Sequence, residues 1–177
     1  MGDGTGELVE LVDQAGLALG TAAKLRAHQP PGRLHRAVSV FLLDDGGRLL
    51  LQRRALGKYH SGGLWSNTCC SHPRPGEDPA RAAARRVAEE LGVAAEAMAA
   101  AGTVTYRVTD PLSGLVEHEF NHLFVGRVSQ RPSPDPAEIA ECAFVALPEL
   151  ERLRAAGGFT AWFPVVLAAA APALAGA

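Results

Sequence analysis

Cysteine is scarce in this sequence: Cys69 and Cys70 are adjacent and Cys142 stands alone. Such an odd, unevenly spaced set excludes a secreted disulfide framework and points to a reducing cytoplasm. An excess of charge of one sign is also lacking. Seventeen Lys and Arg stand against 19 Asp and Glu, for a formal net charge of −2, which excludes a general nucleic-acid binder and leaves any anion to be bound by local groups. The N-terminal run MGDGTGELVELVDQAG carries acids where an export signal carries bases, so no secretory or transit segment is expected. The uncharged stretch 159–177 approaches the length of a membrane span, but it is mostly alanine and is interrupted by Pro164 and Pro172. A packed terminal helix is therefore expected, and no membrane association. Internal repeats are absent, and the one linker-like stretch, Arg131 to Glu138, is too short to separate a pair of domains, so residues 1–177 are expected to form one unit. Nothing in the sequence fixes an oligomeric state.

With 47% apolar and 20% charged residues, the chain has the composition of an ordinary folded domain. Ala37 to Leu43, the turn 44–47 and the run RLLLQRR read as a hairpin. Thr103 to Thr109 and Leu115 to Val128 read as a second one, turning through 110–114. Asp78 and Pro79 have the character of an N-cap and first helical position, with Gly92 as the stop, which predicts a helix of about 13 residues between them. Ala143 to Leu147 is expected as a strand and Pro148 to Ala156 as a short helix, with Thr160 capping a terminal helix. The class is α+β, a mixed β-sheet sandwiched by helices.

The chemistry concentrates in two segments. Glu77, Arg85, Arg86, Val87, Glu89, Glu90, Gly92 and Val93 stand at the spacing of a phosphate-handling signature, and this stretch resembles the Nudix box. Two positions depart from it: Ser71 stands for the first Gly, and Arg86 for the Glu that follows Arg. Arg86 and Glu90 share one helical face, so a guanidinium and a carboxylate can point together at a metal-bound diphosphate. On residue types alone, a solvated helix with i,i+4 ion pairs is the commoner arrangement; the full spacing outweighs it. Losing the second Glu removes a carboxylate that Nudix hydrolases use for metal and base chemistry.

Just upstream, Trp65-Ser66-Asn67-Thr68-Cys69-Cys70-Ser71-His72-Pro73 resembles a segment of type I isopentenyl-diphosphate isomerases, the non-hydrolysing branch of the Nudix superfamily. The likeness extends to residues 32–37, 53–58, Tyr106-Arg107, Glu117-His118-Glu119 and 159–163. Ala161 replaces a common Pro, and Leu112 lengthens one turn by a residue, without removing a functional group. The resemblance implies a Nudix-like single domain and interconversion of isopentenyl and dimethylallyl diphosphate through a tertiary carbocation. Hydrolysis of a diphosphate, other prenyl-diphosphate processing, and a non-catalytic metal-binding module are the alternatives.

It also implies roles. Cys70, Glu119, Tyr106 and Trp162 would be catalytic, Glu119 delivering one proton beside Tyr106, Cys70 exchanging the other across the substrate, and Trp162 facing the cation. The diphosphate would meet Lys24, Arg54, Lys58 and Arg86. His28, His35, His72, Glu117 and Glu119 would hold one divalent metal (Zn, Mn or Mg), and Glu90 a Mg²⁺ that arrives with the diphosphate. His28 falls in the N-terminal segment 1–30 and is expected to lie in the Pro-rich loop AHQPPGRLH. Independently of the resemblance, Glu117 and Glu119 share one strand face, while His60, His118 and His122 are read as structural or surface residues. Cys69, adjacent to Cys70 on a strand, should face away, as should Arg53 beside Arg54.

Overall fold

A computed structural model describes residues 6–177; the first five, the start of the acidic N-terminal run, lie outside the described residues. The elements in chain order are β1 (Leu8–Val12), β2 (Ala18–Ala23), α1 (Lys24–His28), β3 (His35–Leu43), β4 (Arg48–Arg54), β5 (Trp65–Ser66), β6 (Cys69–Ser71), α2 (Pro79–Leu91), β7 (Glu96–Thr109), β8 (Val116–Arg127), β9 (Ile139–Ala146), α3 (Leu147–Ala155) and α4 (Phe163–Ala175). β3 is the hub. It runs parallel to β8 from the His35–Glu119 pair to the Leu43–Arg127 pair, and antiparallel to β6 through Ser39–Cys70. β8 in turn pairs with β7, and β4 with β9.

Strand alternation sorts the core into two layers. Val38, Val40, Leu42, Leu50 and Phe124 pack on Ala83, Val87 and Leu91 of α2. Phe41, Leu43, Leu49, Leu51, Leu123 and Val125 pack on Phe163, Val166 and Ala170 of α4. At roughly 1.5–3 kcal/mol for each large apolar side chain fully buried, both helices are held by the sheet, and the expected sandwich is the observed one. Within α2 the expected signals act as read: the Asp78 side chain accepts from the Arg81 backbone N–H at 3.0 Å, Pro79 opens the helix, and Gly92 closes it at φ 65°. A Cβ on Gly92 would also come within 2.8 Å of the Ser133 carbonyl oxygen.

Several sequence expectations need correction. The first hairpin closes at its turn, yet β3 and β4 are paired only at Leu43–Leu49; beyond it they separate, because β3 finds β8 and β6 while β4 finds β9. β7 starts at Glu96, earlier than the expected Thr103, and pairs with β8 through two register shifts. Thr160 does not cap α4. Trp162 holds the N-cap position without a side-chain bond, and the Thr160 hydroxyl turns to Ser66 Oγ at 3.4 Å. His28 ends the one-turn helix α1 instead of lying in a loop. α4 spans 13 residues, and among the described residues no helix is long and apolar enough to cross a membrane.

Candidate active site

The strand pairings bring distant acids and imidazoles together. His35 and Glu119 are register partners across β3 and β8, Tyr106 and Glu119 across β7 and β8, and β6 delivers His72 from the other flank of β3. His28 enters from α1. At Gly32, between His28 and His35, φ is 79° and a Cβ would come within 2.5 Å of Val116 Cγ1, so only glycine closes this loop against β8. The result is a buried set in which His28, His35, His72, Glu117 and Glu119 each offer one donor atom, all within 4.8 Å of one another.

The chemistry of this set suits a cation. The Nδ1 atoms of His28 and His35 lie 2.7 and 2.8 Å from the Lys24 and Arg33 carbonyls, which accept their hydrogens and leave the Nε2 lone pairs facing inward. His35 Nε2 and His72 Nε2 are 3.1 Å apart, and His72 Nε2 is 3.1 Å from Glu119 Oε1. His28 Nε2 lies 2.9 Å from Glu117 Oε2 yet has no hydrogen-bond partner in an acceptable direction. Burial lowers the His35 pKa to about 4 and the His72 pKa to about 3, keeping both as neutral imidazoles. Burial also opposes protonation of His28, but the Glu117 carboxylate outweighs it and raises that pKa. Facing lone pairs and two carboxylates, all largely buried, are the pattern of an N/O metal site. A divalent ion fits it.

Each carboxylate has one oxygen held elsewhere. Glu119 Oε2 accepts from the Tyr106 hydroxyl and from Asn121 Nδ2 at 2.9 Å. Burial and the Glu119 charge raise the Tyr106 pKa far above its ordinary value, so the phenol stays protonated. Glu117 Oε1 is 2.6 Å from His60 Nε2. Glu117 stays ionised despite its burial, because the His28 and His60 side chains lower its pKa well below the carboxylate range.

Beyond these groups opens a cleft that reaches solvent. Lys24, Arg54, Lys58, Cys70, His72, Arg86, Glu90, Tyr106, Glu117, Glu119 and Trp162 all line it, while His28 and His35 are fully buried. Cys70 packs on the α4 side of the sheet and Cys69 on the α2 side. The expected division of the two thiols is thus seen in their placement. The Cys70 thiol donates to Asn67 Oδ1 at 3.0 Å, and burial pushes its pKa up to about 11. Trp162 Nε1 donates to Ser66 Oγ at 3.1 Å, while the Arg54 guanidinium carbon stands 5.4 Å from the ring centroid.

At the mouth the cations are already paired. Arg86 bonds Glu90 at 2.6 Å and Glu89 at 2.7 Å, Lys24 meets Glu7 at 2.9 Å, and Lys58 meets Glu138. Glu90 also accepts from Gln52 at 3.2 Å and stands apart from the five-donor set. Arg85 instead grips Glu77 through two bonds of 2.8 Å. Arg53 turns away to Glu141, as expected.

Sequence reading overlooked several lining residues, three of them polar groups in or beside the ion pairs described above. His60, taken as structural or surface, is buried against Glu117; its one signal was its position two residues after Lys58. Glu138 sits at the end of the stretch read only as a short linker, and Gln52 within a strand read only for its hydrophobic pattern. His118 and His122 hold to expectation, meeting the Gly32 carbonyl at 3.1 Å and the Arg36 guanidinium at 2.9 Å.

Residues 33–163 match the NUDIX domain family. Isopentenyl-diphosphate Delta-isomerases of Streptomyces griseus and Streptomyces coelicolor are each 62% identical over 174 residues, covering 97% of this chain and 88% of the relative. One from Nocardia farcinica is 48% identical over 161 residues, covering 90% of this chain and 91% of its own. Among solved structures, a Deinococcus radiodurans protein superposes with TM-score 0.73 at 19% identity, over 92% of this chain and 97% of that one. A MutT NUDIX hydrolase from Burkholderia pseudomallei does so at 0.60 and 23%, over 76% and 96%. Those two likenesses concern the fold.

Proposed function

The chain belongs to the isopentenyl-diphosphate Delta-isomerases of the NUDIX family, and from that premise we propose how its cleft moves a double bond. The reaction protonates one carbon of an unactivated alkene and removes a proton from another, so it needs two proton-exchanging groups in one water-poor space. The observation that carries the reading is that Cys70 and the Tyr106–Glu119 pair line the same cleft from strands on either side of β3.

Glu119, with Tyr106 beside it, delivers a proton to the terminal carbon, and Cys70 takes one from the other side. The reverse reaction exchanges their roles, so isopentenyl diphosphate must meet a protonated Glu119 and a Cys70 thiolate, and dimethylallyl diphosphate the Glu119 carboxylate and the Cys70 thiol. Between these steps the carbon skeleton carries positive charge, and the Trp162 ring face stabilises it. Lys24, Arg54, Lys58 and Arg86 hold the diphosphate. To do so, Arg86 and Lys58 must exchange contacts with Glu89 and Glu138 for phosphate oxygens, which costs little at a partly exposed mouth. A divalent ion held by His28, His35, His72, Glu117 and Glu119 would fix the Glu119 carboxylate and tune its proton affinity, while a Mg²⁺ carried by the diphosphate would meet Glu90. Zn, Mn and Mg each suit the first site.

Arg86 also separates this cleft from a hydrolase. Where the Nudix box has a carboxylate for metal and water, this chain presents a guanidinium bonded to Glu90, so that one carboxylate is lost to metal and base chemistry.

The test is incubation of purified protein with isopentenyl diphosphate and Mg²⁺ in deuterated water. Deuterium-labelled dimethylallyl diphosphate without phosphate release is expected; release of phosphate would replace the reading with hydrolysis.

A further inference from the structure

We propose that His60 is a positioning residue for the metal site: its Nε2–H holds Glu117 Oε1, leaving Oε2 as the oxygen that faces the cation. The inference rests on the metal reading above and goes beyond it, since His60 is outside the five-donor set.

Four observations carry it. His60 Nε2 and Glu117 Oε1 are 2.6 Å apart, the shortest imidazole–carboxylate contact of the site, a separation that two lone pairs would resist and that a proton on Nε2 relieves. Both side chains are nearly inaccessible, at 6% and 4%, so the contact is sheltered from bulk water. The other oxygen, Glu117 Oε2, is the one beside His28 Nε2, on the side of the five donors. Finally, the arrangement repeats at Glu119, where Oε2 is held by Tyr106 and Asn121 and Oε1 faces His35 and His72. Both carboxylates are thus prepared in the same way: one oxygen is tied to a neutral donor of the protein, and the other is left for the cation.

The imidazole is itself fixed in place. Its ring packs 4.3 Å from Tyr59 and 5.7 Å from Trp162, and its backbone carbonyl accepts from Arg54 Nη2 at 3.3 Å. A donor locked on several sides orients its acceptor, and losing such an outer partner typically weakens metal binding 10- to 100-fold.

The experiment titrates chelator-stripped protein with Zn²⁺ alone, in competition with a chromophoric chelator, for wild type, His60→Ala and His60→Gln. Glutamine carries an N–H at nearly the reach of Nε2, so it should bind Zn²⁺ within a few-fold of wild type, whereas alanine should bind about 10- to 100-fold more weakly at unchanged stoichiometry. Alanine at wild-type affinity overturns the proposal. Glutamine as weak as alanine also overturns it, since the imidazole would then act as a ligand or through packing. Melting of the metal-free proteins serves as control, because a weak glutamine variant that melts with wild type cannot be excused as misfolded. If wild type takes up no Zn²⁺, and no Mn²⁺ or Mg²⁺ in its place, the metal reading itself fails, a result distinct from a variant that binds as wild type does.

Discussion

Replacing Trp162 with leucine fills much of the same buried space without a π face, and so isolates what the indole does electrostatically. The ring is 4% exposed, Nε1 is tied to Ser66, and Arg54 stands 5.4 Å from the centroid. A desolvated cation–π contact is worth about 2 kcal/mol, or about 30-fold in affinity. Arg54 already draws on the same ring; under the proposed clamp the diphosphate would engage that guanidinium and leave the quadrupole to the carbon skeleton. A tertiary ammonium analogue carrying the diphosphate, compared with its neutral counterpart, measures the contribution directly. Trp162→Leu should lose about 30-fold in affinity for the ammonium beyond any loss for the neutral compound. Trp162→Phe keeps a ring but loses the Nε1 donor and part of the indole volume, so it should cost about 1–3 kcal/mol of stability with the preference largely kept. Calorimetric titration of both compounds, well below each variant's melting point, supplies the comparison. Equal losses for the two ligands in Trp162→Leu would mean that the indole is only a wall of the pocket.

Cys70→Ala should abolish turnover while Cys69→Ala retains most of it, as the two thiols lie on opposite faces of the sheet; comparable losses in an isomerisation assay would refute the assignment. Arg86→Glu should raise KM for the diphosphate strongly and still release no phosphate, because it sets a second anion beside Glu90; tighter substrate binding would remove Arg86 from the clamp. The Arg85 pair pulls the Glu77 pKa down to about 2 from an ordinary 4.5. The stability it contributes is therefore present above pH 4.5 and lost as pH falls toward 2. Glu77→Gln should melt a few degrees below wild type at neutral pH, for a partly exposed pair worth about 1 kcal/mol, and the gap should close in acid; a gap that widens there would contradict the sign.

What was legible in the sequence followed from local rules. Asp78, Pro79 and Gly92 bound α2 because capping is decided within one turn, and Cys69 and Cys70 diverge because strand neighbours alternate. The family likeness pointed to five cluster residues that neither spacing nor composition could have joined. Three of the misreadings share one cause, competition from distant partners. β3 and β4 carry every hairpin signal, yet β8, β6 and β9 outbid the turn beyond Leu43–Leu49. Thr160 has the right residue type for a cap, and Ser66 claims its hydroxyl. His60 passed for a structural or surface histidine because its partner, Glu117, comes from a strand far along the chain.

The parallel pairing of β3 with β8 has a consequence for the order of assembly. His28 and His35 leave the ribosome early, whereas Glu117 and Glu119 follow only after α2 and β7 have been synthesised, and Trp162 comes last. Closing so long a loop is slow, and contacts made across it form only once the intervening chain is available. The nascent N-terminal half therefore holds imidazoles without their carboxylates, β3 waits with an unpaired edge for β8, and the cleft becomes competent only when the C-terminal helix docks. Shortening the chain before α4 would leave Phe41, Leu43 and Leu51 uncovered, so a stalled or truncated product should aggregate instead of persisting as a partly active enzyme.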